Sequence, residues 1–228
     1  MPNTHKLCTF NCIYCECGFN TPVSHPALPT RTEVSVALEH ALQTLTTPPD
    51  VITFSGNGEP TLHPDFLPII QDTCRLRDHY CPNAKVSVLS NATQLHRTDV
   101  IGALRLADNR ILKLDSALDT TMRLIDDPVN KNLTVSQIIA SLQSFNGDFT
   151  LQTCFLRGTV NGIPVDNTTP DERQAWYDAV EQLHPKQIMI YVIDRATPVK
   201  TLEKITRDEM EQIARPLRDK GYDVQISA

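Results

Sequence analysis

Apolar positions along the chain alternate between two periods. Short β-branched or apolar runs at Val51–Ser55, Lys85–Ser90, Ile111–Asp115, Phe149–Phe155, Ile188–Ile193 and Tyr222–Ile226 predict strands. The intervals between them are long enough for a helix each. After Glu33, Val34, Leu38, Leu42 and Leu45 recur at a spacing that gives one helical face. Thr134-Val-Ser-Gln137, Thr169-Pro-Asp-Glu172 and Thr206-Arg-Asp-Glu209 each read as a capping box, in which cap and fourth residue satisfy orphan N–H groups. Pro170 falls at the first helical position, where its missing donor costs nothing. Strands that alternate with helices pair in parallel and have both sheet faces covered, so the predicted class is α/β. A barrel, a partial barrel and an open doubly wound sheet all satisfy the pattern. A full eightfold barrel needs ~250 residues, and 228 residues with six or so units suit a partial (β/α)6-type TIM barrel of parallel strands. One domain over 1–228 is expected, with a first strand that is short or truncated, because only seven residues precede Cys8.

Composition narrows the function classes. Hydrophobic residues at 40% and charged residues at 21% describe a globular chain and not a disordered one. No apolar run approaches the ~20 residues of a membrane helix, and MPNTHKLCTF lacks the basic end and apolar stretch of a secretory signal. Lys+Arg 21 against Asp+Glu 27 gives a net charge of −6, which argues against wrapping a long nucleic acid by bulk charge. Seven cysteines are an odd number, and three of them lie within Cys8–Cys15; a cytoplasmic metal or redox site is expected rather than a disulfide framework.

Cys8-Thr-Phe-Asn-Cys12-Ile-Tyr-Cys15 is the strongest chemical signal. Three thiolates on a tight loop can converge on one centre. A fourth ligand would close a structural zinc site or an electron-transfer cluster, whereas three leave a metal position open. Cys17 and His25 are the candidates for a fourth. The remaining polar residues gather where predicted strands finish: Gly56–Pro60, Asn91, Asp115–Ser116, Arg157 and Asp194–Arg195. Parallel α/β folds build their sites at that edge. Asn91 and Asp115 also suit helix caps or turns. Glu59, between Gly58 and Pro60, suits a structural or cofactor role as well as a surface turn. Cys154 suits a small buried apolar residue or a catalytic thiol. Arg195 suits an anionic substrate group or an ion pair with Asp194.

The C-x3-C-x2-C pattern with Tyr14 before the last cysteine resembles the signature of the radical S-adenosylmethionine (radical SAM) superfamily. Thr53-Phe-Ser-Gly-Asn-Gly-Glu-Pro-Thr-Leu-His-Pro64 resembles that superfamily's G-G-E-P segment, with Asn57 in place of a glycine. The resemblance implies that Cys8, Cys12 and Cys15 hold a [4Fe–4S] cluster whose fourth iron binds the amino and carboxylate groups of S-adenosylmethionine. An electron from the reduced cluster then breaks the sulfonium C–S bond, giving methionine and a 5′-deoxyadenosyl radical that abstracts hydrogen from a substrate. It also implies that Tyr14 sits beside the adenine. The Gly56, Asn57, Gly58, Glu59, Pro60 loop would meet the methionine amino group, and Asn91, Asp115 or Ser116 the ribose. Arg157 would face the methionine carboxylate, and Arg195 and Cys154 are the catalytic candidates.

Within the superfamily, the F-S-G-x-G-E-P-T-L-x-P form and the I-D-R-x-T-P segment at Ile193–Pro198 are most similar to the group related to wyosine-type tRNA-modifying Fe–S oxidoreductases. The expected substrate is a tRNA or nucleotide. Activation of a glycyl-radical enzyme, or modification of a peptide, is the second enzymatic expectation, and a zinc- or cluster-bearing binding module without turnover is the non-enzymatic one. The implied partners are an electron donor such as flavodoxin or ferredoxin and a tRNA or protein substrate, with no membrane.

Overall fold

The structure, a computed structural model, describes residues 5–21 and 27–228. The chain forms two compact units: 1–8 with 21–111, and 9–20 with 112–228. His25 lies outside the described residues. No described helix is long and apolar enough to cross a membrane.

The first unit carries α1 (Arg31–Thr44), β1 (Val51–Phe54), α2 (Phe66–Tyr80), β2 (Lys85–Ser90), α3 (Thr98–Leu106) and the start of β3 (Asn109–Lys113). β1 and β2 run parallel from Val51 opposite Lys85 to Phe54 opposite Val88. Asp108, in the turn before β3, ties this layer together: its carboxylate accepts from Arg77 of α2 at 2.7 Å and from the Val86 amide of β2 at 2.8 Å. The core beneath is Ile69, Ile70, Leu76, Val86, Val88, Val100 and Leu104, all buried. α1 is capped by a reciprocal Thr30–Glu33 box, one the sequence reading overlooked. It buries no residue completely; the predicted stripe is half-buried at Val34, Leu38 and Leu42, and Leu45 is exposed. Arg31 fastens it to Asp72 of α2 at 2.6 Å.

The second unit carries the end of β3, α4 (Asp119–Asp126), α5 (Val135–Leu142), β4 (Thr150–Val160), β5 (Ile163–Asp166), α6 (Pro170–Leu183), β6 (Gln187–Val192), β7 (Leu202–Lys204), α7 (Arg207–Asp219) and β8 (Val224–Ser227). The capping boxes at Thr134 and Thr206 form as expected. At α6, Thr169 caps, while the Glu172 carboxylate takes a bond from Ser116 Oγ at 2.7 Å.

β4 is the pivot of this unit. Thr150–Phe155 pair in parallel with Gln187–Val192 of β6, which in turn pairs in parallel with β8. From Leu156 onward β4 changes partners and lies antiparallel to β5 and β7. The sequence-based boundary at Phe155 thus marks the end of parallel pairing and not the end of the strand. Two features permit the extension. Asn161 and Gly162 both take positive φ, the two-residue turn that suits the twist of a hairpin. At Gly158 (φ +150°) an added Cβ would lie 2.4 Å from the Thr201 carbonyl oxygen, so only glycine lets β7 approach. In the core, Trp176 of α6 is buried edge-on to Phe155, its indole N–H donating to Thr153 Oγ1 at 3.0 Å.

Candidate functional site

In the first unit the chain before Cys8 is pinned to the Gly56–Pro60 loop. Leu7 N–H donates to the Asn57 carbonyl at 3.0 Å, and Glu59 N–H donates to the Leu7 carbonyl at 2.9 Å. The expected first strand is, among the described residues, this single parallel bridge of Leu7 with Gly58. Gly58 (φ +135°) makes it possible, since a Cβ there would lie 1.7 Å from the Leu7 carbonyl oxygen. The glycine thus makes room for the chain that delivers Cys8, a different reason from the close cofactor approach expected of it. Gly56 (φ +138°) has open space where its Cβ would be.

Glu59 is a buried latch. Its carboxylate accepts from Thr61 N–H at 3.1 Å, Thr61 Oγ1 at 2.6 Å, Ser90 Oγ at 2.8 Å and Asn91 N–H at 2.7 Å. It caps the short turn Pro60–Leu62 and holds the end of β2 against it. Burial pushes the Glu59 carboxyl up, and the bonds from Thr61, Asn91 and Ser90 pull it back. Asn91, thus fixed, donates from Nδ2 to the Cys8 sulfur at 3.5 Å. Its Oδ1 accepts from Thr93, so the side chain is already engaged at both ends.

In the second unit the loop carrying Cys12 and Cys15 is laid along the end of α4. Val129 N–H donates to the Thr9 carbonyl, Asn11 N–H to the Asp126 carbonyl and Ile13 N–H to the Ile125 carbonyl, each at 2.9 Å. Ile13 anchors the loop in a core with Ile125, Cys154, Leu156, Val160 and Val165. Cys12 is buried, whereas Cys15 and Cys17 are half-buried.

The Cys12 sulfur lies 2.9 Å from Lys113 Nζ and 3.5 Å from Asp126 Oδ1. Lys113 is also 2.5 Å from Asp126 Oδ1 and 3.0 Å from Asp115 Oδ2. Asp115 is completed by the Tyr14 hydroxyl at 2.5 Å and the Cys154 amide at 2.9 Å, and Tyr14 receives the Tyr191 hydroxyl at 3.1 Å. Burial opposes the charge on Lys113, but Asp115 and Asp126 more than offset it and hold the ammonium well above its ordinary range. Burial raises the Cys12 thiol and the Asp126 carboxyl, with Lys113 pulling both down.

Two cofactor-contact candidates are used up within this unit. Asp115 is fully buried and saturated, and Ser116 Oγ is bonded to Glu172 and the Leu118 backbone. Cys154 sits in the apolar core, where burial raises its thiol well above the ordinary value; that environment suits packing, not a nucleophile. Arg157 is claimed by Glu209 at 2.6 Å, Thr168 at 3.1 Å and Asp166 at 3.7 Å. Arg195 is 76% exposed and pairs with Glu16 at 2.5 Å, while Asp194 pairs with Lys204 instead.

The structure adds residues that the sequence did not single out. Lys113 and Asp126 flank Cys12, and Asn167 is buried with Nδ2 donating to the carbonyls of Asp115 and Cys154 while Oδ1 accepts from Leu156 N–H. The one available signal was Lys113 itself, a charge set between Leu112 and Leu114.

Among the described residues no three His, Cys, Asp or Glu groups gather as a site for one ion. The donor set nevertheless fits an iron–sulfur cluster, in which each cysteine thiolate holds a different iron, so the thiolates need not converge on one ion. The Cys8 and Cys12 sulfurs each accept a hydrogen bond from a fixed donor, Asn91 and Lys113, the kind of outer contact that orients a metal-ligating side chain.

No family model matches the chain. The UPF0026 protein of Helicobacter pylori J99 is 27% identical over 208 residues, 90% of this chain and 64% of that protein. The chain thus spans less than two thirds of that relative's length. Among solved structures, Streptococcus suis SuiB bound to S-adenosylmethionine superposes with a TM-score of 0.69 at 13% identity, over 98% of this chain and 48% of that one. TYW1 with a lysine–pyruvate adduct gives 0.68 at 16%, over 96% and 72%. Escherichia coli coproporphyrinogen III oxidase (HemN), described as a radical SAM enzyme, gives 0.64 at 15%, over 96% and 52%. At these identities the likeness is one of fold, and this chain has the α/β fold of the radical SAM enzymes, with β1 parallel to β2 in the first unit and β6 parallel to both β4 and β8 in the second.

Proposed function

We propose that this chain is a radical SAM enzyme that holds a [4Fe–4S] cluster on Cys8, Cys12 and Cys15 and binds S-adenosylmethionine at the iron left without a cysteine. The observation that carries the reading is the C-x3-C-x2-C loop, with donors built onto two of its sulfurs, in a chain with this fold. When bound, the reduced cluster would cleave S-adenosylmethionine to methionine and a 5′-deoxyadenosyl radical able to take hydrogen from a substrate.

The chain's own residues would do the holding. Gly58 and Glu59 fix the chain at Leu7 next to Cys8, and the hydrogen bonds to Ile125 and Asp126 fix the loop around Cys12. Gly56 and Asn57 are the exposed part of the G-N-G-E-P turn and are the groups we assign to the methionine end of the cofactor. Tyr14 keeps its ring beside Lys113 and its hydroxyl on Asp115, so any contact with adenine would be through the ring.

A tRNA or other nucleotide is the substrate class we favour, supported by the wyosine-type form of the motifs and by the TYW1 likeness over 96% of the chain. A peptide is the second reading, supported by SuiB, which has been solved with its precursor peptide SuiA. A flavodoxin or ferredoxin would supply the electron. The test is anaerobic: reconstitute with iron and sulfide, reduce with dithionite, add S-adenosylmethionine and assay 5′-deoxyadenosine with and without bulk tRNA. Product above a Cys12→Ser control is expected. Its absence from a protein with four irons, with and without tRNA, would count against the tRNA reading.

A further inference from the structure

We propose that Lys113 is a positioning residue that raises the reduction potential of the cluster by hydrogen-bonding the Cys12 thiolate; the inference rests on the cluster assignment above. Lys113 ends β3, and its side chain is 10% exposed. An ammonium has three N–H donors, and three acceptors surround this one: Cys12 Sγ at 2.9 Å, Asp126 Oδ1 at 2.5 Å and Asp115 Oδ2 at 3.0 Å. The faces of Phe10 and Tyr14, at 5.2 and 5.0 Å from Nζ, complete the cage.

A lysine is costly to bury, and one placed only to fill space between Leu112 and Leu114 would be replaced without loss by an apolar side chain. This one is held in place from two sides. Asp115 is itself fixed by Tyr14 and by the Cys154 amide, and Asp126 ends α4, the helix along which the cysteine loop lies. The two carboxylates aim the ammonium at the sulfur.

Net charge and hydrogen bonds to the sulfurs set the potential of an iron–sulfur cluster. Reduction adds one electron, and the cluster gains one negative charge. A cationic donor on a ligand sulfur stabilises that extra charge, and burial leaves the interaction weakly screened. Lys113 makes no bond to substrate and loses no proton in this role.

The experiment is a potentiometric titration of the reconstituted cluster, followed by electron paramagnetic resonance, with iron and sulfide counted in every sample. Wild type is compared with Lys113→Met, Lys113→Gln and Lys113→Arg. The expected result is a full cluster with a more negative potential in Lys113→Met and Lys113→Gln, and a return toward wild type in Lys113→Arg. Because Met leaves two buried carboxylates uncompensated, Lys113→Gln decides if the Met variant holds no cluster. A full cluster with the wild-type potential in either neutral variant overturns the proposal. Loss of the cluster from all three variants overturns it too, in favour of a purely structural lysine. Wild-type protein that takes up no cluster overturns the functional reading and this inference with it, whereas a full cluster with unchanged potential overturns this inference alone.

Discussion

Gly56 and Gly58 have nearly the same positive φ yet differ in surroundings, which makes them a matched pair. Alanine at Gly56 meets no atom within 4 Å and suffers only the backbone penalty, about 1–3 kcal/mol. Alanine at Gly58 drives its Cβ into the Leu7 backbone beside Cys8. Gly58→Ala is therefore expected to lose bound iron after reconstitution while Gly56→Ala retains it; equal iron in the two would remove the role given to the Leu7–Gly58 contact. Glu59→Gln sets an amide N–H₂ against one of the hydrogen-bond donors that the carboxylate now satisfies, at a cost of about 1–3 kcal/mol. Denaturant unfolding of the iron-free protein measures it, and a loss below 0.5 kcal/mol, roughly the least expected of one net hydrogen bond, would contradict the latch. The cysteines and the glycine–glutamate turn were legible because their chemistry depends on spacing along the chain. Lys113, Asp126 and Asn167 were not. Their partners are brought to them by folding, as when Asp126 meets a cysteine 114 residues away.

At the scale of elements, helix starts were written locally and strand ends were not. Thr134 and Thr206 cap where their boxes placed them, since both partners lie within one turn. β4 exceeded its expected end because its outer half is held by β5 and β7, and the β7 partners lie 44 to 48 residues downstream, from Leu202 opposite Gly158 to Lys204 opposite Leu156. The Asn161-Gly162 dipeptide between apolar runs was the local sign of that hairpin. The Thr206 box also carries a pH-dependent contact. Bonds from Thr206 and from Arg157 hold the Glu209 carboxyl at about 2. Its folded value thus lies below its unfolded one near 4.3. Its contribution is fully present above that unfolded value and disappears as pH falls toward about 2. Because the pair is one-third exposed, roughly 1 kcal/mol is expected rather than the full shift. Glu209→Gln should lower stability by about that much at pH 7 and leave it unchanged near pH 2; a constant difference across that range would assign the effect to the cap alone.

For the molecule as a whole, the α/β class was legible because strand and helix periods alternate, and the superposition with SuiB over 98% of the chain bears it out. The division into two units was not legible, since their boundary falls inside β3, between Ile111 and Leu112, and again between Cys8 and Thr9, where no linker composition marks it. The account assigns the metal to three cysteines and excludes Cys17. Serine at Cys8, Cys12 or Cys15 should abolish the cluster, whereas Cys17→Ser should retain it. The most direct measurement is the electron paramagnetic resonance spectrum of the reduced, reconstituted protein, before and after addition of S-adenosylmethionine, with iron counted in the same sample. The account predicts about four irons per chain, as one cubane cluster requires, and a spectrum that changes when S-adenosylmethionine binds the open iron. A colourless protein with one zinc per chain, or a four-iron signal that S-adenosylmethionine leaves untouched, would contradict it.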